Sequence, residues 1–486
     1  MSTNEKTLFG HPLGLYVLFF TEMWERFSYY GMRAILLLFL LDEINGGLGM
    51  DTGDSGAVYG LYTASVYLLS LPGGWVADNL IGQRKAIWYG GLTIMIGHII
   101  LAVPGSQSLF FAGLAVVAFG TGLLKPNIST VVSELYPEGG GRRDAAFSIF
   151  YMGINLGSFL GITIVGYLGQ KVGWHYGFGA AAVAMFLGLV VYQIFGNKYL
   201  RDLGMEAKAK EKSVDANGLE VDAMFVALMV FFSFNGTFEW SGKKEVVRSI
   251  GIVIATLLPF YFLNMIYASG LNKVEQKRVA VLVVLFLGAV TFWAGFEQQG
   301  STLQIFADRH SKLPFGMPSS WFQNFNALFI LMFAPVLGAL WIWFDKKNIN
   351  FSTPAKFGTA LLLLALGFYV MVMGSEIAVT GVKVSALFLT FTFLFHTLGE
   401  LCLSPVGLSA FTKLAPKKFM SQLMGIWFVA TSMGNLIGGL FTGGFDEENL
   451  AQMPELYMMV VWASLIIGVL ILLLSKPITK LMGGVR

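Results

Sequence analysis

The sequence predicts an all-α integral membrane protein of fourteen spanning helices, grouped six, two and six. Three observations carry this: too little charge for a wetted surface, fourteen apolar stretches of spanning length, and one polar linker after the sixth. Of 486 residues, 55% are hydrophobic and only 13% are charged. A soluble globular chain carries about 25% charged residues, so most of this surface must face lipid. The 58 glycines fit the same reading, because small residues let helices approach closely in a bilayer.

A spanning helix needs roughly 20 mostly apolar residues. Stretches of that kind lie near 13–41, 54–78, 85–104, 108–135, 145–168, 174–196, 222–240, 249–268, 279–306, 321–344, 356–374, 384–412, 419–443 and 456–475. The stretch at 222–240 is the weakest, since Asn235, Gly236 and Glu239 interrupt it. Residues 1–196 form a six-helix bundle, 197–221 a polar linker, 222–278 an extra helix pair with its connector, and 279–486 a second six-helix bundle. Lysine and arginine favour the loops on the side of the termini by about three to one, which places both termini in the cytoplasm. Lys243, Lys244 and Arg248 are the main exception. The polar start followed by a long apolar run implies no cleavable leader. Two six-helix halves suggest internal repetition. Lys125-Pro126 in the fourth span and Glu400 with Pro405 in its counterpart echo one another.

Composition also excludes some functions. A net charge of +3 is too small to point to nucleic acid. Cys402 is the single cysteine, so no internal disulfide forms, and with 5 scattered histidines no metal cluster is expected. His98 and His396 read as hydrogen-bonded core residues. No cofactor is expected, and neither a metal nor a nucleophile cluster supports a membrane-embedded enzyme. Mid-span charges of both signs would make a poor channel.

Glu22, Glu25, Arg26, Arg33, Lys125, Glu297 and Glu400 lie deep in the predicted spans. Each costs about 2.5–3.5 kcal/mol at a helix centre, so together they must face one another or water. They fall in the first and fourth helices of each half, which a shared cavity explains. In the first span Glu22, Glu25, Arg26, Tyr29, Tyr30 and Arg33 form one stripe about 140° wide at 100° per residue. With all seven ionised, the set carries one excess negative charge. Protonating one carboxylate balances it, which suggests proton coupling.

The run Glu22-Met-Trp-Glu25-Arg26-Phe27-Ser-Tyr29-Tyr30-Gly31 resembles the first-helix signature E-x-x-E-R-F-x-Y-Y-G of the proton-dependent oligopeptide transporters, within the major facilitator superfamily. Phe150-Tyr151-Met-Gly-Ile154-Asn155-Leu-Gly157 resembles that family's second signature. Phe296-Glu297-Gln298-Gln299 and Glu400 with Ser404-Pro405 resemble its seventh and tenth core helices. Gly74-Trp-Val-Ala-Asp78 followed by Gly82-Gln-Arg84-Lys85 resembles the superfamily's loop between helices two and three.

The resemblance implies the major facilitator fold, with the extra helix pair of bacterial members, and a role for each matched residue. Glu22, Glu25, Arg26 and Lys125 would couple the proton, and Arg26 and Lys125 would hold a peptide carboxylate. Glu400 would face the amino group. Glu297 would pair with Arg33 and close an outer gate. Tyr29, Tyr30, Tyr67, Asn155, Asn326 and Trp427 match pocket positions, with Asn324 a competitor for Asn326. Asp78, Arg84 and Lys85 would latch an inner gate. The implied partners are di- and tripeptides, protons and the lipid bilayer. The implied setting is a bacterial inner membrane, with a monomeric transport unit. A zwitterion held by cations at one end and an anion at the other tolerates any side chain, so broad specificity follows. A facilitator for another solute, such as a nitrate-like anion or a drug, is the competing reading.

Overall fold

A computed structural model describes residues 7–137, 140–207, 244–347, 351–416, 419–445 and 450–484. Thirteen of the fourteen expected spans coincide with helices there. The span at 222–240 and most of the linker lie outside the described residues. Among the described residues, ten helical segments are long and apolar enough to cross a membrane. The first helix falls outside that group because its ionisable residues break the apolar run.

The helices are α1 (Leu13–Leu41), α2 (Thr52–Leu68), α3 (Ser70–Val76), α4 (Gln83–Ala102), α5 (Gln107–Glu134), α6 (Gly140–Tyr167) and α7 (Trp174–Leu200). There follow α8 (Lys244–Tyr267), α9 (Lys273–Phe296), α10 (Thr302–His310), α11 (Asn324–Lys346), α12 (Thr353–Val379), α13 (Ala386–Leu414), α14 (Met420–Thr442), α15 (Met453–Leu473) and α16 (Ser475–Leu481). A two-residue hairpin, β1 (Thr7–Leu8) with β2 (His11–Pro12), precedes α1. The chain forms two compact units: Met1–Gly49 with Ser65–Ser241, and Met50–Ala64 with Gly242–Arg486. The boundary therefore falls inside α2.

Two expected spans prove discontinuous. The stretch 54–78 breaks at Leu69. Pro72 has no amide hydrogen to offer the carbonyl four residues back, at Leu68, so the helix restarts. It then loosens into a π-helical turn over Ala77–Ile81, which Gly82 ends at φ +84°. The stretch 279–306 ends its α-helix at Phe296, runs through a 3₁₀ turn over Glu297–Gly300, and restarts at Thr302. Ser301 is non-helical there (φ −125°, ψ −99°). A Cβ on Gly300 would lie 1.7 Å from the Tyr59 hydroxyl, so only glycine lets the turn close on that ring. Glu297 consequently sits at the end of the α9 helix, inside the candidate span Lys273–His310.

Packing in the first unit rests on glycine. On α6, Gly153, Gly157 and Gly161 recur every fourth residue and face Phe19, Met23 and Phe27 of α1. A Cβ at Gly157 would lie 2.1 Å from the Met23 carbonyl, and one at Gly161 2.3 Å from that of Phe27. The small stripe thus brings the α1 backbone against α6, which sets the height and rotation of Arg26. Asp42 fixes the far end of α1. Its carboxylate accepts from the Trp174 indole at 2.7 Å and from the backbone amides of Ile44, Asn45 and Gly47. Burial pushes this carboxyl up, but the hydrogen bonds from Trp174 and Asn45 outweigh it and hold it below the usual aspartate range.

In the second unit, α12 and α15 cross where Gly358 and Gly468 each meet the other's carbonyl. Gly434 of α14 seats the Trp293 side of α9. Residues left outside these contacts are apolar: Trp462, Ile466 and Leu473 of α15 are exposed, as lipid contact requires.

Candidate functional site

In the first unit the stripe on α1 carries a buried ion triplet. Arg26 Nε lies 2.9 Å from Glu22 Oε1 and 2.5 Å from Glu25 Oε2. All three residues are at most 3% exposed. The Arg26 guanidinium also stands 5.5 Å from the centroid of the Tyr29 ring. Tyr29 meets Tyr30 edge to face at 5.1 Å. Arg33, near the other end of the stripe, is buried as well.

Lys125 approaches from α5. Its Nζ stands 3.7 Å over the centroid of the Tyr67 ring, an electrostatic seat for an ammonium group. It also lies within electrostatic reach of Glu25. The neighbouring Pro126 explains the placement. It leaves the carbonyl of Gly122 without its helical donor, and Gly73 of α3 packs there so closely that a Cβ would lie 2.0 Å from that oxygen. Asn127 then donates from Nδ2 to the carbonyls of Leu123 (2.7 Å) and Gly73 (3.3 Å). Asn155 is buried in the same unit and donates to the Tyr151 carbonyl of its own helix at 2.9 Å.

The second unit holds a second polar group. Asn326 of α11 donates from Nδ2 to Glu400 Oε2 at 2.9 Å and to Thr397 Oγ1 at 3.1 Å on α13. Asn326, and not Asn324, thus meets Glu400. Thr397 is absent from the residues the sequence singles out, although its place three residues before Glu400 puts it on the same helix face. Glu297 is buried at the α9 terminus. Trp427 is 5% exposed and packs tilted against Phe411 (5.3 Å) and edge-on against Phe357 (6.5 Å), over Gly407.

The loop Asp78–Lys85 divides in three. Asp78 is exposed and accepts from Gln83 Nε2 at 2.7 Å. Arg84 is buried: one guanidinium nitrogen donates to Asn197 Oδ1 at 2.6 Å and another to the Arg201 carbonyl at 2.5 Å. Lys85 is exposed. Arg84 therefore ties the loop to the C-terminal end of α7, through the Asn197 side chain and the C-cap carbonyl of Arg201, inside the first unit. One histidine differs from expectation. His98 is fully buried, and neither ring nitrogen meets a hydrogen-bond partner among the described residues. No group of metal-ligating side chains occurs among the described residues.

Residues 84–456 match the model of the POT family, PTR2. The chain belongs to the POT family. This POT-family chain is 44% identical over 493 residues to an uncharacterized transporter, YclF, of Bacillus subtilis (strain 168), covering 100% of this chain and 98% of that one. It is 37% identical over 503 residues to the peptide transporter YePEPT of Yersinia enterocolitica, covering 100% and 98%. A crystal structure of a peptide transporter POT in complex with sulfate superposes with a TM-score of 0.88 at 39% identity, covering 99% and 98%. The architecture of this POT-family protein is accordingly that of a multi-span major facilitator transporter, and not that of an enzyme.

Proposed function

We propose that this POT-family chain is a proton-coupled symporter that imports di- and tripeptides by alternating access. The observation that carries the proposal is Arg26 buried against Glu22 and Glu25, with Lys125 within electrostatic reach of Glu25. Arg26 and Lys125 are the cations that take the peptide carboxylate. Protonation of Glu22 or Glu25 releases Arg26 from one of its two counter-charges and frees it for substrate. Glu400, positioned by Asn326, takes the amino group. Tyr29, Tyr30, Tyr67, Asn155 and Trp427 complete the pocket, Arg33 pairs with Glu297 at an outer gate, and Asp78, Arg84 and Lys85 serve the inner one. The protein works as a monomeric transport unit in a bacterial inner membrane with both termini in the cytoplasm. Peptide transport by relatives such as YePEPT supports the substrate class.

Uptake of labelled dialanine into proteoliposomes tests this. An inward proton gradient drives accumulation above the external concentration, and Arg26→Ala abolishes it. Accumulation indifferent to the gradient rejects the coupling. Uptake of a nitrate-like anion or a drug in place of peptides rejects the substrate class.

A further inference from the structure

A cavity of about 450 Å³ opens in the second unit among α11, α12 and α13, next to Met482. It lies at the end of these helices nearest the C-terminus, because Lys356 belongs to the first turn of α12 and Lys413 to the last turn of α13. It is distinct from the Glu400 group. On α13 it is lined by Leu401, Pro405 and Ser409, and Ser409 lies roughly half a turn around the helix from Glu400.

Its lining has two chemistries. The walls are apolar, with Leu337, Gly338 and Leu401. At one end Lys356 Nζ stands 4.6 Å from the centroid of the Trp341 ring, and Trp341 is braced by Phe344 and Phe351. Lys413 lines the same cavity and acts electrostatically on Lys356. The hydroxyl-bearing Thr353 and Ser409 complete the lining. Pro335 and Pro405 lie inside α11 and α13, and each removes a helical hydrogen bond. Outside the cavity Val336, Leu340 and Trp343 of α11 are exposed, so the apolar wall continues onto lipid-facing surface.

We propose that this cavity binds an anionic phospholipid of the leaflet on the side of the C-terminus. The phosphate sits on Lys356 and Lys413, and an acyl chain runs along Leu337, Gly338 and Leu401. Basic pockets between spanning helices suit anionic headgroups. A small soluble anion would leave the apolar wall unused, and a zwitterionic lipid would bring its own cation against two lysines.

Native mass spectrometry of the full-length protein, titrated with phosphatidylglycerol or phosphatidylcholine, reads the site. Wild type binds phosphatidylglycerol at least tenfold more tightly than phosphatidylcholine. Lys356→Ala weakens phosphatidylglycerol about fivefold, the worth of one lysine near a phosphate. Gly338→Leu keeps both lysines, fills the wall and also weakens it. Equal binding of the two lipids, or unchanged binding in both variants, overturns the proposal. Displacement of the lipid by equimolar inorganic phosphate overturns it too, by making this a site for free anions. Should Lys356→Ala fail to fold, Gly338→Leu and the phosphate competition on wild type still decide.

Discussion

At the scale of residues, Arg26 is the centre of the proposed chemistry. A guanidinium buried with two carboxylates at 2.9 and 2.5 Å keeps one counter-charge when the other is neutralised. Removing one carboxylate charge should therefore spare the fold and change the coupling. Glu22→Gln is expected to lose at least tenfold of proton-driven dialanine accumulation in proteoliposomes while retaining counterflow exchange. Undiminished accumulation would show that Glu22 is not the coupling acid. The stripe carrying these residues was legible in the sequence, since one helix period relates all of them. The meeting of Asn326 with Glu400 and Thr397 was not, because Asn326 lies on α11 and the other two on α13, with no local spacing to relate the two helices. The cation–π seat of Lys125 on Tyr67 joins α5 to α2 in the same way.

At the scale of elements, hydropathy located the helices but not their interruptions. The breaks at Leu69 and after Phe296 are invisible to an apolar window, because a missing amide hydrogen at Pro72 and a tight contact at Gly300 leave hydropathy unchanged. Glu297 is a helix-end residue for that reason, with carbonyls of the last turn nearby rather than a continuous helix on both sides. The α6 glycines are the other local determinant. A side chain at Gly157 has nowhere to go but into the Met23 carbonyl at 2.1 Å. Gly157→Val should force α1 and α6 apart and destabilise the protein by about 1–3 kcal/mol. A lowered melting temperature in detergent, with Gly179→Val as an uncrowded control, would register it. Equal melting of the two variants would mean that the contact is not limiting.

At the scale of the whole molecule, lysine and arginine asymmetry was enough to propose an orientation. In a Cys402→Ser background, a cysteine introduced at Ser475 should react with impermeant maleimide only after the membrane is opened, whereas one at Asn45 should react from outside in intact cells. The reverse pattern would invert the topology. Thirteen of the fourteen spans were legible in the chain. The division of α2 between two compact units was not, as no composition shift marks Ala64. The quartet of buried Glu22, Glu25 and Arg26 with half-buried Lys125 sums to zero when all four are ionised. A peptide carboxylate reaching these four without a proton would leave one excess negative charge among them, and a proton without the carboxylate one positive charge, at a cost of several kcal/mol either way. Under the proposed function the two together restore neutrality, and resistance to slip and to proton leak would rest on the electroneutrality of four side chains, before any door has to shut.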